Sequence, residues 1–128
     1  VGNADIVERI NLLADHNRAG VFRAVQEAGV AALTGPQDSV EERRARYEGR
    51  RDRVLGALPV PAVSEGTFYV WFELPDGLTC DALLVEHRVA LAPGEGFGER
   101  GAGHARISLA VDDESFELGL DRLARALA

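Results

Sequence analysis

The stretch that decides the fold of this chain is His104-Ala105-Arg106-Ile107-Ser108-Leu109-Ala110. Its apolar residues recur at every second position, which is the period of a strand with one buried face, so Arg106 points away from that face. Asp112 or Asp113 then stands where a helix cap is expected. The apolar positions of that helix are Phe116, Leu120, Leu123 and Leu127. The pattern predicts a strand followed by a helix that packs on the strand's apolar side.

The preceding residues predict a small sheet. A glycine-rich loop from Gly94 to Gly103 should be flexible enough for its backbone to approach a ligand closely. Before it come a brief strand from Val89 to Ala92, a short helix capped by Thr79, and a strand of period two from Phe68 to Leu74. One side of the short helix is predicted to carry Leu83, Leu84 and His87. The order β-α-β-β-α predicts an α+β sandwich, with helices on one face of an antiparallel or mixed sheet.

The first third of the chain predicts two packed helices. Asn3 or Asp5 can cap the first one, and the second ends at Gly35, where a domain boundary is also expected. The two apolar stripes are Ile6, Ile10, Leu13 and Asn17, and Val21, Val25, Ala28 and Ala32.

A long charged helix is predicted from Ser39 to Leu58, with Ser39 as its cap and Glu42 at the capping-box position. An ion pair between Glu42 and Arg46 would add a few tenths of a kcal/mol. Its narrow apolar face consists of Val40, Tyr47, Val54, Leu55 and Leu58, and its other arginines, Arg50 included, are predicted to be solvated. A connector between two domains is the alternative for such a helix.

The amino-acid composition of the chain excludes several classes of function. The chain has 128 residues, 46% of them hydrophobic and 27% charged, as in an ordinary globular protein. Its net charge of -7 argues against a nucleic-acid partner, and the sequence has no apolar run of the roughly 20 residues that cross a membrane. We expect a cytoplasmic protein. His87 and His104 lack further ligands at metal-binding spacing, so no metal site is predicted.

Three motifs follow one another along the chain: Gly66-Thr67-Phe68-Tyr69-Val70-Trp71, then Pro93-Gly94-Glu95-Gly96-Phe97-Gly98, then Arg106-Ile107-Ser108-Leu109-Ala110. Together they resemble the C-terminal portion of class I/II pyridoxal-phosphate-dependent aminotransferases of fold type I. Tyr47-Glu48-Gly49-Arg50-Arg51-Asp52 is similar to the interdomain helix of that family. The resemblance implies that residues 1–35 are a helical segment belonging with a missing large domain. Residues 36–128 would then be the small C-terminal domain, including the connecting helix.

The resemblance also implies roles for individual residues. Arg106 would bind the substrate α-carboxylate, which a guanidinium can hold by two parallel hydrogen bonds. Asn17 and Arg18 would lie in a loop near the active site of the partner subunit in a homodimer. Amino acid and 2-oxo acid substrates are implied, with pyridoxal 5'-phosphate as cofactor. The stripes of residues 5–33 would pack on the missing large domain and are expected to be partly bare here, so the chain should self-associate or bind that domain.

One requirement of that chemistry is absent from the sequence. All 14 basic residues are arginine, so the chain contains no lysine to form the covalent link with the cofactor. No catalytic, cofactor-binding or metal-binding residue is therefore assigned, and the chain alone is expected to be inactive. The catalytic residues of the family would lie before Val1.

Other functions stay open at this point. A different fold-type-I enzyme, such as an acyl-condensing synthase or a cyclase that makes aminocyclopropane carboxylate, would share these motifs. A non-catalytic domain for carboxylate binding or assembly is the second alternative. The sequence also leaves the substrate open among aspartate, alanine, aromatic and diaminopimelate-pathway amino acids.

The missing lysine leads to a direct prediction. When the chain is mixed with pyridoxal phosphate and reduced with borohydride, mass spectrometry should find no stable addition to a side chain, because no lysine amine is available. A borohydride-stable adduct on a side chain would contradict this prediction.

Overall fold

The computed structural model describes residues 2–18 and 20–128, with the side chain of Arg18 outside the described part. The backbone falls into two compact units, Val1–Ser39 and Val40–Ala128. The helices are α1 (Ala4–Arg18), α2 (Arg23–Thr34), α3 (Asp38–Ala57), α4 (Cys80–His87) and α5 (Asp113–Ala126). The strands are β1 (Ala62–Val63), β2 (Tyr69–Glu73), β3 (Ala92–Pro93) and β4 (His104–Ser108). None of the helices in the described residues has the length and apolar character needed to span a membrane.

The first unit contains α1 and α2, as predicted. Asn3 caps α1, since its Oδ1 accepts hydrogen bonds from the backbone N–H groups of Asp5 at 3.0 Å and Ile6 at 3.3 Å. The two helices form no core of their own, because no described residue from 2 to 39 is buried. Two helices of 15 and 12 residues have too little apolar surface to enclose a core.

The apolar faces of the helices in the first unit are exposed to solvent. Among the described residues of this unit, nine large apolar side chains are more than half exposed: Ile6, Ile10, Leu12, Leu13, Val21, Phe22, Val25, Val30 and Leu33. Apolar surface of this extent is unusual on an isolated globular protein. This agrees with the expectation that residues 5–33 are left partly uncovered in this chain.

The second unit is built on a four-stranded antiparallel sheet with the order β1-β2-β4-β3. Val70 pairs with Ile107 and Phe72 pairs with Ala105, which places these side chains on one face. Helices α3, α4 and α5 cover that face. The core consists of Val54, Leu58, Val70, Phe72, Leu83, Val89, Ala105, Leu109, Phe116, Leu120, Leu123 and Leu127. The predicted α+β class is confirmed.

Several local predictions are confirmed as well. Asp112 is the cap of α5 and accepts a hydrogen bond from the Ser115 backbone N–H at 2.8 Å. Thr79 caps α4 by accepting from the backbone N–H of Ala82 at 3.1 Å. The four apolar positions predicted for the last helix are all buried, and Leu127 directly follows the end of α5.

Other details of the second unit differ from prediction. Strand β1 was not expected, because it is only two residues long and follows Pro61 at the sheet edge. Leu84 is exposed, since it lies about 100° around α4 from the buried Leu83. Strand β3 lies at Ala92–Pro93 rather than at Val89–Ala92, and Val89 packs in the core instead.

Helix α3 also corrects two expectations. It begins at Asp38, so Ser39 lies in the first turn rather than before the helix. Arg46 forms an ion pair with Asp113 at 2.7 Å and not with Glu42. The long reach of an arginine side chain lets it bind α5 instead of its own helix.

Arg50 departs most from prediction, because its side chain is only 5% exposed. Its Nη1 donates to the carbonyl oxygens of Leu109 at 2.5 Å and Val111 at 2.7 Å, and its Nη2 donates to Asp113 Oδ1 at 2.5 Å. The guanidinium carbon also lies 4.6 Å from the ring centroid of Phe116. One side chain of α3 thus holds the end of β4 and the start of α5.

We predict that Arg50→Leu lowers the free energy of unfolding by about 2–4 kcal/mol, because two backbone carbonyls and a carboxylate lose their donor. Urea denaturation measures this change. The matched control is Arg44→Leu, whose ion pairs with Glu41 and Glu48 are exposed, so its loss should destabilise the chain far less. If both variants lowered the free energy of unfolding equally, the hydrogen bonds of Arg50 would stabilise the fold no more than exposed ion pairs do.

A second prediction concerns acid. Hydrogen bonds from Arg50 and then Arg46 lower the pKa of Asp113, so the folded state favours the charged carboxylate. The resulting stabilisation is complete above the unfolded pKa of about 3.9 and is lost as the pH falls through the lower folded value. Urea denaturation at decreasing pH should show a smaller acid loss for Asp113→Asn than for the parent chain. Because Asp113 is 81% exposed, the difference should be modest. Asp76→Asn, in an exposed turn, is the control, and an identical effect of both variants would contradict the prediction.

Candidate functional site

Arg106 lies at the centre of the sheet face that the helices leave uncovered. It pairs with Trp71 of β2 on one side and with Ala92 of β3 on the other. Its neighbours in β4, Ala105 and Ile107, belong to the face that packs on the core. The orientation predicted from the alternation of residues is therefore the one that the structure shows.

The guanidinium of Arg106 touches two aromatic rings. Its Cζ atom lies 3.9 Å from the ring centroid of Tyr69 and 4.4 Å from that of Phe97. The side chain is half-buried, yet no acceptor among the described residues forms a hydrogen bond or ion pair with it. The N–H groups along the edge of the guanidinium therefore lack a protein partner there.

This combination distinguishes Arg106 from the other arginines. Among the arginine side chains that the structure describes, Arg9, Arg88 and Arg100 also lack an acceptor, but they are exposed to solvent. Arg50 is buried, but carbonyl and carboxylate oxygens occupy its N–H groups. A half-buried guanidinium with an open edge is suited to an anion from outside the chain, and a carboxylate matches its planar fork.

The glycine-rich segment brings Phe97 to this arginine. It consists of two short 3-10 turns, Gly94–Phe97 and Glu99–Gly101, joined at Gly98 with a φ of 119°. The backbones of the turns pack so closely that a Cβ on Gly94 would lie 2.1 Å from the Gly101 carbonyl oxygen. The predicted loop thus contains two regular turns. Gly94 and Gly101 are required by this close backbone packing.

Further rings surround the site. Trp71 contacts Phe97 edge-on, with ring centroids 5.7 Å apart, and stacks on His104 at 5.5 Å. The Nδ1 atom of His104 lies 2.9 Å from the carbonyl oxygen of Ala102. Sequence reasoning assigned no role to Tyr69, Trp71 or Phe97. The available signal was the period of two in β2, which places Tyr69 and Trp71 on the same face as Arg106.

Asn17 and Arg18, predicted to form part of a partner-subunit site, belong to the first unit. They lie in the last turn of α1, so the segment is helical and the predicted loop is wrong up to Arg18. The side chain of Arg18 lies outside the described residues. Asn17 is exposed and borders a depression of about 200 Å³ together with Ile10, Leu13 and Ala14. Their proposed role beside another subunit's active site stays a prediction.

A larger cavity of about 350 Å³ lies beside the middle of α3, and Arg106 is not among its lining residues. Its walls are formed by Arg44, Tyr47, Glu48, Arg51, Gly66, Thr67 and Phe68. The two arginines are paired, since Arg44 binds Glu41 and Glu48, and Arg51 binds Asp52 at 2.6 Å. Their positive charge is therefore neutralised within the protein, and Arg106 is the stronger candidate for binding an anion.

Other reactive groups form no second site in the described part of the chain. The structure contains no cluster of three His, Cys, Asp or Glu side chains there that could hold a metal ion. Burial, followed by the charges of Glu95 and Asp81, raises the pKa of the Cys80 thiol. A thiol with a raised pKa is a weaker nucleophile at neutral pH, so Cys80 is not assigned to the site.

Comparison with known proteins shows which family this chain resembles. The profile of the family "Aminotransferase class I and II" matches residues 1–123. L-glutamine--4-(methylsulfanyl)-2-oxobutanoate aminotransferase of Bacillus subtilis is 39% identical over 98% of this chain and 33% of its own length. LL-diaminopimelate aminotransferase of Halothermothrix orenii is 35% identical over 96% of this chain and 34% of its own length.

Solved structures give the same result. A Staphylococcus aureus aminotransferase matches 99% of this chain and 36% of its own, with a TM-score of 0.86 and 36% identity. The aromatic aminotransferase of Pyrococcus horikoshii matches 99% of this chain and 37% of its own, with a TM-score of 0.84 and 33% identity. This chain spans about a third of the length of the curated relatives that it matches.

Proposed function

This chain belongs to the class I and II aminotransferases, and we propose that it is the part of a pyridoxal-phosphate-dependent transaminase that binds the substrate's carboxylate. The observation that carries this proposal is the half-buried guanidinium of Arg106, whose edge has no acceptor among the described residues. The proposed reaction moves an amino group between an amino acid and a 2-oxo acid. Both substrates carry a carboxylate next to the reacting carbon, so one arginine can serve both.

Arg106 can bind that carboxylate through two parallel N–H···O hydrogen bonds. Such charge-assisted bonds are shorter and stronger than neutral ones and also fix the orientation of the bound group. Because Arg106 stands on a central strand with a neighbour on each side, its backbone position is rigid. A substrate held at this end would present its amino group and Cα–H bond at a defined position.

This chain does not itself fit the covalent needs of the cofactor. It contains arginine but no lysine, so the amine that links pyridoxal phosphate would come from another part of the protein. When bound, pyridoxal phosphate would supply the electron sink for the reaction. The contribution of this chain is to bind and orient the substrate, and we propose that the chain alone is inactive.

The finer features of the proposal concern the whole protein. We propose a cytoplasmic homodimer in which residues 1–35 pack on a large domain and residues 36–128 form the small domain. The bare apolar stripes of the first unit support that packing. Asn17 and Arg18 would lie near the active site of the partner subunit.

The amino acid itself stays open. The names of the relatives specify glutamine with a 2-oxobutanoate, LL-diaminopimelate and aromatic substrates. These substrates differ mainly in their side chains. A carboxylate-binding arginine alone does not discriminate among them, so selectivity would come from other residues of the whole protein.

We predict that Arg106→Lys in the intact enzyme lowers kcat/KM for an amino acid roughly tenfold to a hundredfold. The reason is that lysine keeps the charge but loses the fork, and hydrogen bonds to charged groups contribute roughly 1.5–3 kcal/mol each. Arg106→Ala should cost more. Steady-state kinetics with an amino acid and with an amine that lacks the carboxylate measures both effects.

The amine is the internal control for this experiment. It should be the substrate least affected by either change, and thermal unfolding should hardly shift, because Arg106 stands on the face opposite the core. The carboxylate role would be wrong if Arg106→Ala left amino-acid turnover unchanged, or if it penalised both substrates equally.

A further inference from the structure

The rings beside Arg106 are arranged in a way that carboxylate binding alone does not require. Tyr69 and Phe97 both lie within 4.4 Å of the guanidinium carbon, measured to their ring centroids. In the described part of the chain, Tyr69 makes its ring contact with Phe68, and Phe97 makes its own with Trp71. No contact joins these two rings to each other there, and both lie close to the same guanidinium.

We propose that Tyr69 and Phe97 are positioning residues that hold the Arg106 guanidinium by its faces, leaving its N–H edge as the surface open to the substrate. The proposal rests on the carboxylate-binding role proposed above and extends it. A carboxylate would then approach in the plane of the guanidinium, which is the geometry of a two-pronged hydrogen-bonded pair.

The physical reason lies in the choice of aromatic neighbours. A guanidinium is attracted to an aromatic face and is weakly hydrated, so rings can hold it without using its N–H groups. A carboxylate at the same position would neutralise Arg106 and compete with the substrate. Holding the side chain in advance also reduces the rotamer freedom that substrate binding must remove.

Two other arginines of this chain show the contrast. The guanidinium carbons of Arg50 and Arg53 lie 4.6 Å and 5.1 Å from the ring centroid of Phe116. Both also bind acidic side chains, Asp113 and Glu117 respectively. Of these three stacked arginines, Arg106 is the one with a free edge in the described part of the chain. At Arg106, ring contacts thus occur together with N–H groups that have no acceptor, whereas at Arg50 and Arg53 they occur together with ion pairs.

The Tyr69 and Phe97 rings belong to different types of secondary structure. Tyr69 belongs to strand β2, whereas Phe97 ends the first of the two turns that Gly94 and Gly101 pack together. Phe97 is 53% exposed, so its ring can be removed without opening the core. It is therefore the residue on which positioning can be separated from folding.

The test compares Phe97→Leu with Phe97→Tyr in the intact enzyme that carries this chain. Leu removes the ring, and KM for an amino acid should rise roughly threefold to tenfold, as expected for the loss of one cation–π contact. Tyr keeps the ring and should restore KM to within about twofold of the parent value. KM for an amine without a carboxylate should not change. Val85→Ala, at an apolar residue that is 77% exposed on α4, is the control for truncation at the surface.

A second measurement reads the position of Arg106 without any activity. In NMR spectra of the intact enzyme without substrate, the Nε–H proton of Arg106 should show a ring-current shift. Phe97→Leu should reduce that shift and Phe97→Tyr should keep it. An unchanged signal in Phe97→Leu would overturn the proposal, because the ring would then not lie on the guanidinium.

The outcomes separate this inference from the proposed function. If Arg106→Ala weakens amino-acid binding but Phe97→Leu does not, the positioning role is overturned and the carboxylate role stands. If Phe97→Tyr is as impaired as Phe97→Leu, the ring is not what matters, and the positioning role is again overturned. If Arg106→Ala itself has no effect, the proposed function fails, and this inference fails with it.

Discussion

The second unit depends on the hydrogen bonds of one buried arginine. Arg50 joins α3 to the carbonyl oxygens of Leu109 and Val111 and to the Asp113 carboxylate. The Leu109 backbone N–H donates in turn to the Phe68 carbonyl oxygen at 2.8 Å, so the end of β4 is fixed from two sides. Arg106 lies three residues before Leu109. The strand that carries the candidate site is therefore held at its end by hydrogen bonds to Arg50 and Phe68.

Arg50 and Arg106 show two uses of the same side chain. The N–H groups of Arg50 donate hydrogen bonds within the protein. Those of Arg106 lack an acceptor in the described part of the chain, and aromatic rings hold the faces of its guanidinium. The difference follows from their neighbours. Carbonyls at the end of a strand and an acidic first turn surround Arg50, whereas Tyr69 and Phe97 surround Arg106. Under the function proposed here, the open arginine would bind a carboxylate, which the planar guanidinium matches.

The sequence predicted what depends on local periodicity. Alternation in β2 and β4 placed Arg106 on the uncovered face, and helical spacing identified the buried side of α5. It could not predict the burial of Arg50, because its acceptors lie 59 to 63 residues away and neighbouring positions of α3 carry arginines that are solvated. The role of Phe97 was also hidden, since it depends on the close packing of two glycine backbones. Strand β1 is too short to leave a pattern.

The most direct test of this account is a crystal structure of the intact enzyme that carries this chain, with an amino-acid substrate bound. The account predicts that the substrate carboxylate lies in the plane of the Arg106 guanidinium, with two N–H···O distances of about 2.7–2.9 Å. Tyr69 and Phe97 should keep their places on the guanidinium faces. A carboxylate bound by another residue, with Arg106 turned towards solvent, would contradict the central claim.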